Sequence, residues 1–391
     1  MSTSHESDAQ PLSAPERAAR WCLWSVEGLG PVRLRALRTA CGGHVTRLWE
    51  DEGLRDRALA QLKLSMRQRA LAERVLSAPF VPTYEAQRDR LGLHQHLLHR
   101  QDEAYPERLR GEPDAPAFLY IWGDVGALQA RCLGLVGSRD PRQQDASWAR
   151  QLSRQLSGGY GVCVVSGGAR GMDTQAHLGA LDAHGPTVAV MPSGLERLTP
   201  ASNRAVFERI VGQGGALVSE YPLRVCAKRY HFPRRNRLIV ALSDGILVLE
   251  ARARGGTMLT ARAALGAATP VCVVPYHPSQ TRASGSLELL SNQGASLVRD
   301  AADVMQRCYG VSEVDPDPPA QASLFERPVA TCEPSCPVER RVWRGCGRGA
   351  SVDELTQQLG LEASALLCVL TSMELAGHIT RVGAGRFAQA R

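Results

Sequence analysis

The stretch Val162-Cys-Val-Val-Ser-Gly-Gly-Ala-Arg-Gly-Met-Asp173 carries three signals in a row. A short apolar run rich in β-branched residues reads as a strand buried on both faces. A turn of small residues follows, and Asp173 stands where a helix over 174–183 would take its N-cap. The same cycle recurs on either side. Candidate strands at 133–136, 162–165, 187–191, 216–218, 245–249 and 271–274 alternate with helical stretches near 146–156, 174–183, 202–211 and 259–267. Strand-helix repetition at this pitch predicts an α/β, Rossmann-like parallel sheet with helices on both faces.

Residues 101–310 are expected to form this Rossmann-like domain, entered through Asp102-Glu-Ala-Tyr-Pro-Glu-Arg-Leu109 and the extended-looking Ala117-Phe-Leu-Tyr-Ile-Trp122. Before it, residues 16–100 show amphipathic helical patterning, a small module of SAM or helix-hairpin-helix type. Its turn, Val26-Glu-Gly-Leu-Gly-Pro31, has the glycines that let backbone amides approach a phosphate, though a plain turn between packed helices needs the same glycines. Residues 1–15 are polar and proline-punctuated and are expected to be disordered. After the sheet, 311–337 is an acidic, proline-rich linker. In 338–391, three short helices, the second opened by the capping box Ser351-Val-Asp-Glu354, precede a hairpin with Gly383 and Gly385, the pattern of a winged helix. Its third helix, 362–375, has Glu362 and Glu374 but no Lys or Arg, which favours protein contact over groove reading.

A chain of 391 residues with 44% hydrophobic content has room for two or three cored domains. The net charge of +7 permits a polyanionic partner without demanding one. Eleven cysteines, odd in number and partly inside apolar runs (Cys132, Cys163, Cys272, Cys368), suit buried thiols in a reducing compartment. Cys332, Cys336 and Cys346 lack the further ligand that a zinc spacing would need, so neither metal nor cofactor is expected. No apolar run reaches membrane-spanning length, and a cytoplasmic location is expected.

The strongest local charge lies in 224–237, where Arg224, Lys228, Arg229, Arg234, Arg235 and Arg237 occur without an acid before Asp244. Within it, Tyr230 and Phe232 offer stacking faces, the guanidiniums offer phosphate contacts, and Asn236 can bond a base edge or a backbone oxygen. A solvated basic face with a core Phe is the plainer alternative. What favours a site is the company of three small-residue turns placed after candidate strands. These are Gly137-Ser-Arg139, Ser166-Gly-Gly-Ala-Arg-Gly-Met-Asp173 and Arg254-Gly-Gly-Thr-Met-Leu-Thr260. Each precedes a helix N-terminus, where free amides attract phosphate. Several such turns along one sheet edge suit a strand of nucleic acid better than one nucleotide.

Enzymatic readings are weaker. The first turn, Gly134-Leu-Val-Gly-Ser-Arg139, lacks the dinucleotide fingerprint, and no P-loop occurs. Glycosidic hydrolysis would need a carboxylate at the sugar. Asp173 and Glu250 are candidates, although Asp173 also reads as an N-cap and Glu250 as a partner for nearby arginines. His177 reads as a packing or surface residue, and His231 as a stacking or phosphate-contact residue. Neither has a spaced nucleophile, and no catalytic residue is expected.

With these residues together, the chain resembles the DprA/Smf family of DNA-processing proteins of bacterial natural transformation. The similarity runs over about residues 102–303, on Gly137-Ser-Arg139, Ser166–Asp173, Ser219-Glu-Tyr-Pro222, Phe232-Pro-Arg-Arg-Asn-Arg237 and Gly256-Thr-Met-Leu-Thr-Ala261, in the family's order. The resemblance implies single-stranded DNA bound in the Rossmann-like domain, a homodimer formed through that domain, and loading of a RecA-type recombinase. It assigns Arg139, Phe232 and Arg229 to the DNA pocket, with Ser138, Ser166, Gly168, Asn236, Arg237 and Thr257 around them. Gly137, Gly167, Lys228, Arg235 and Gly256 complete the expected binding set. Duplex DNA is a further candidate partner through the helical front, and the helix over 259–267 with the edge near Val271 is a candidate dimer surface. Two segments depart from the family pattern: Glu196 replaces its usual acid after the third strand, and 276–286 lacks its Gly-Asn. The related nucleotide phosphoribohydrolases share the fold, but Thr260 stands where their catalytic glutamate would be, which disfavours hydrolysis.

Overall fold

The computed structural model describes residues 12–292, 294–311, 337–347, 349–375, 378–381 and 386–389. The expected linker lies almost wholly outside the described residues, as do Gly383, Gly385, Cys332 and Cys336. Met1–Val314 form one compact unit and Asp315–Arg391 a second.

The first unit is built on nine strands. They are β1 (Gln95–His99), β2 (Phe118–Gly123), β3 (Cys132–Val136), β4 (Cys163–Ser166), β5 (Thr187–Val190), β6 (Ala216–Ser219), β7 (Gly245–Val248), β8 (Val271–Val273) and β9 (Ser296–Leu297). Their spatial order is β1-β2-β6-β5-β4-β3-β7-β8-β9. From β6 to β9 every neighbouring pair is parallel, whereas β2 joins β6, and β1 joins β2, antiparallel. The six strands read from sequence form the parallel core. Of the other three, β2 occupies the stretch expected to be extended, β9 is a strand the sequence does not mark, and β1 falls inside the stretch expected to be helical. The expected edge near Val271 is not an edge, because β9 pairs with β8.

Alternation along β3 divides the core into two layers. Cys132 and Val136 pack with Ile239, Ile246 and Met258 on one face, while Leu133 and Leu135 pack with Ala149, Leu152 and Ala176 on the other. The helices Gln143–Tyr160 and Met172–Asp182 cover the second face, and His231–Ala241 and Gly256–Gly266 the first. A Cβ at Gly134 would lie 2.4 Å from Ile246 Cδ1 and 3.3 Å from Ile239 Cγ2, so glycine at this position admits the basic helix close to the sheet.

The front of the chain is helical and starts earlier than its composition suggests. Ser13 caps the helix Ala14–Trp24 by accepting from Glu16 N at 3.3 Å. Two tryptophans of this helix tie it to the sheet. Trp21 Nε1 donates to Tyr120 Oη at 2.6 Å and Trp24 Nε1 to the Glu220 carbonyl at 3.1 Å. The second unit has helices Pro337–Cys346, Val352–Leu359 and Ala363–Leu375 and a small sheet of β10 (Ala350–Ser351), β11 (Ile379–Arg381) and β12 (Arg386–Gln389). The Ser351/Glu354 capping box is formed, and the arrangement is a winged helix. No helix among the described residues is long and apolar enough to cross a membrane.

Candidate nucleic-acid interface

After β6 the chain crosses to the far side of β3 to make β7, so the strand order reverses at β3. In open parallel sheets the crevice at such a reversal, beyond the carboxyl ends of the strands, is where ligands bind. A cavity of about 360 Å³ lies there, lined in part by Gly137, Ser138 and Arg139 after β3 and by Gly256 and Thr257 after β7. Arg235, Asn236 and Asp173 complete much of its wall, with Arg252 and Arg254 at the opening. Helices of eleven residues or more begin after β3, β4 and β7, and their dipoles favour an anion at this edge, with Asp145 and Asp173 in the first turns of the first two.

The turns are held by specific contacts. Met172 N donates to Ser138 O at 2.9 Å, Thr257 Oγ1 to Gly137 O at 3.1 Å, and Asn236 Nδ2 to Gly256 O at 3.4 Å. Gly171, at φ +82, passes so close to Ser138 O that a Cβ would sit 2.4 Å from it. Gly256 lines the cavity, and a Cβ built on it meets nothing within 4 Å. At the rim, the Arg139 guanidinium lies over the Phe232 ring, 5.3 Å from its centroid, within cation–π range.

Several expected site residues sit behind this surface rather than on it. Ser166 is fully buried, its hydroxyl donating to Leu135 O at 2.7 Å. Gly167 and Gly168 form the turn floor. A Cβ on Gly167 would strike the Arg235 guanidinium, and one on Gly168 the Phe207 ring. Arg235 is only 4% exposed and donates to the carbonyls of Gly167 and Val190, which makes it chiefly a brace for the turn. Burial lowers its pKa to about 10, so it stays charged at neutral pH, with Asp173 opposing the shift. Asp173 is not the expected cap. Gly171 takes that place, and Asp173 Oδ2 accepts from Ala169 N at 3.3 Å from within the first turn. Burial raises the carboxyls of both Asp173 and Glu250, and Glu250 forms no ion pair among the described residues.

The basic run differs most from expectation. Residues His231–Ala241 are a helix, with Pro233 tolerated in the first turn. Acids distant in sequence neutralise much of the run: Arg224 meets Glu196 at 3.1 Å, Lys228 meets Glu27 at 2.7 Å, and Arg237 meets the buried Glu220. Lys228 and Arg237 thus lie outside the cavity. Arg229 is exposed and, like Arg234, makes no ion pair among the described residues. Tyr230 gives its hydroxyl to Glu27, and Lys228 Nζ lies 5.8 Å from its ring centroid. His231 is not a ligand-contact residue: it is 3% exposed, its Nδ1 lies 3.0 Å from Pro192 O, and its ring stacks on Tyr221 at 4.0 Å.

The expected departures have defined places. Glu196 is held by Arg90 at 3.0 Å as well as by Arg224. Within 276–286, Arg282 pairs with Asp140 at 3.2 Å beside the cavity mouth. Asn203, not singled out as a site residue, fixes the second turn by donating to Gly168 O at 3.0 Å and Thr174 Oγ1 at 2.8 Å.

A family model described as DNA recombination-mediator protein A matches residues 96–309, and one described as DprA winged helix domain matches 328–385. The chain is 34% identical to Protein Smf of Escherichia coli over 292 residues, covering 74% of this chain and 76% of that protein. It is 33% identical over 297 residues to the putative DNA processing protein DprA of Mycobacterium tuberculosis, covering 71% of this chain and 73% of the relative. Among solved structures, DNA processing protein A from Streptococcus pneumoniae aligns with a TM-score of 0.63 and 25% identity over 76% of this chain and 99% of that one. The parallel sheet with its turns, the winged helix and these matches agree, and the chain belongs to the DprA/Smf family of DNA-processing proteins.

Proposed function

We propose that the cavity at the strand reversal holds single-stranded DNA and that the protein, as a cytoplasmic homodimer, passes the strand to a RecA-type recombinase during uptake of DNA. The observation that carries this reading is the Phe232 ring under the Arg139 guanidinium at the mouth of a cavity fed by helix N-termini. A flat face beside a cation accepts any base, and amides beside it accept phosphates, so binding is tolerant of sequence. No step of the reading needs a covalent intermediate. The winged helix, whose third helix has no basic residue, is assigned to protein contact.

A nucleotide-hydrolysing alternative is favoured by one observation, the buried carboxyl of Asp173 in the cavity wall. Fluorescence anisotropy of the full chain with labelled single-stranded and duplex oligonucleotides across a salt series separates the two. Salt-sensitive preference for single strands, undisturbed by nucleoside monophosphates, is expected. Binding of monophosphates alone, with release of base, would overturn the reading in favour of the hydrolase.

A further inference from the structure

The helix His231–Ala241 has a second cavity on its other flank, a groove of about 890 Å³ between the turn Val26-Glu-Gly-Leu-Gly30 and the helix Met66–Leu76 on one side and the segment 220–234 on the other. Both walls belong to one compact unit. Arg67, Arg74 and Arg234 line it, are exposed, and make no ion pair among the described residues. Arg67 and Arg74 are seven residues apart, two turns along the same face of their helix. The Tyr230 ring, 43% exposed, stands in the same groove, and Leu71 and Val75 supply apolar floor. Of its two acids, Glu220 is buried against Arg237, and Glu27 bridges Lys228 and Tyr230 at the mouth.

The two cavities share one helix. Arg235 and Asn236 line the first and His231 and Arg234 the second, and Phe232, in the first turn of the same helix, lies against Arg139 of the first cavity. We infer that the groove continues the single-strand path: nucleotides leaving the Phe232 face run between the helical front and the basic helix, phosphates on Arg67, Arg74 and Arg234 and a base on Tyr230. This rests on the reading of the first cavity as a single-strand site. The chemistry is the same one that sequence-tolerant sites use, unpaired cations following a backbone with an aromatic face set among them. The helical front then serves as the second wall of the site.

The test compares oligothymidylates of about 6 and about 16 nucleotides, within the span of known single-strand site sizes, on the full chain. The double variant Arg67→Glu/Arg74→Glu changes only exposed positions on the front. It is expected to bind the short oligonucleotide as the unaltered chain does and the long one about tenfold more weakly, with a salt slope lower by about 1.4. Cys226, an exposed thiol in the groove, gives a readout without mutation. Its alkylation, followed by peptide mass mapping, should slow with the long oligonucleotide and not with the short one. Unchanged long-strand affinity in the double variant, or Cys226 reacting equally fast with the long strand bound, overturns the groove assignment. Equal protection of Cys226 by a duplex of the same length also overturns it, in favour of a duplex contact. Failure of the unaltered chain to bind the short strand is a different result, and it overturns the first-cavity reading instead.

Discussion

The two flanks of the helix His231–Ala241 use the same residue type in opposite ways. On the flank facing the parallel sheet, Arg235 is buried, bonded to two backbone carbonyls and set against the Gly167 turn. On the flank facing the helical front, Arg234 is exposed and unpaired among the described residues, and Lys228 is held by a carboxylate that solvent reaches. A buried guanidinium is part of the fold, because removing it strands its carbonyl partners in a dry interior. An exposed one adds little to stability and remains available to a ligand. Counting cations along the chain treats both alike, whereas burial separates brace from contact.

The largest effect expected from this contrast is on folding. Arg235→Ala should destabilise the first unit by about 3–5 kcal/mol in urea denaturation, the range for breaking a buried charged network. Arg234→Ala should leave stability within about 0.5 kcal/mol. Equal effects of the two substitutions would erase the distinction between the flanks. Phe232→Ala should cost about 1–3 kcal/mol of single-strand affinity without comparable loss of stability, read by anisotropy beside a denaturation curve.

A third prediction concerns the interior of the sheet. Thr187 gives its hydroxyl proton to Val164 O and therefore accepts from His177 Nδ1 at 2.8 Å, which fixes a neutral ring protonated on Nδ1. Burial drives the His177 pKa from 6.5 to about 3. The unfolded chain binds the proton that the folded one refuses, so stability should fall by about 1.4 kcal/mol per pH unit below about 6.5. His177→Gln should flatten that slope in denaturation curves taken between about pH 6.5 and about pH 5. The smallest expected effect is at Glu27, whose carboxyl is held below its usual range by Lys228 first and Tyr230 second. Glu27→Gln frees both groups and should strengthen long-strand binding by about 0.2–1 kcal/mol, with short-strand binding unchanged. A loss of long-strand affinity instead would mean that Glu27 holds the groove open.

The parallel core was legible because strands covered on both faces must be apolar throughout, as Val162 to Val165 and Gly245–Val248 are. The two edge strands lack that mark, whereas β2, Phe-Leu-Tyr-Ile-Trp-Gly, carries it. β1 reads Gln-His-Leu-Leu-His at the sheet edge, and β9 spans two residues. The basic helix was hidden because its apolar residues Leu238, Ile239 and Val240 crowd one end and leave no helical period across Phe232–Arg237. In the site, the glycine turns were readable from local chemistry alone. The ion pairs were not, since Glu27 reaches Lys228 across 201 positions. Nor was the bracing role of Arg235, which depends on backbone carbonyls that every residue possesses. Ser219-Glu-Tyr-Pro222 was visible as a motif without a mechanism. The structure supplies one: Glu220 and Tyr221 clamp Arg237 and His231, the two residues that bracket the first half of the basic helix.

The indole of Trp24 finds its acceptor in Glu220, 196 residues further along the chain. On a ribosome adding roughly 5–20 residues per second, the front helices therefore wait roughly 10 to 40 s for the strand that completes their docking. Tyr120, the acceptor for Trp21, arrives about halfway through that interval, whereas Trp24, almost wholly covered in the finished molecule, waits through all of it. The order of synthesis thus exposes an aromatic surface first and delivers its cover last.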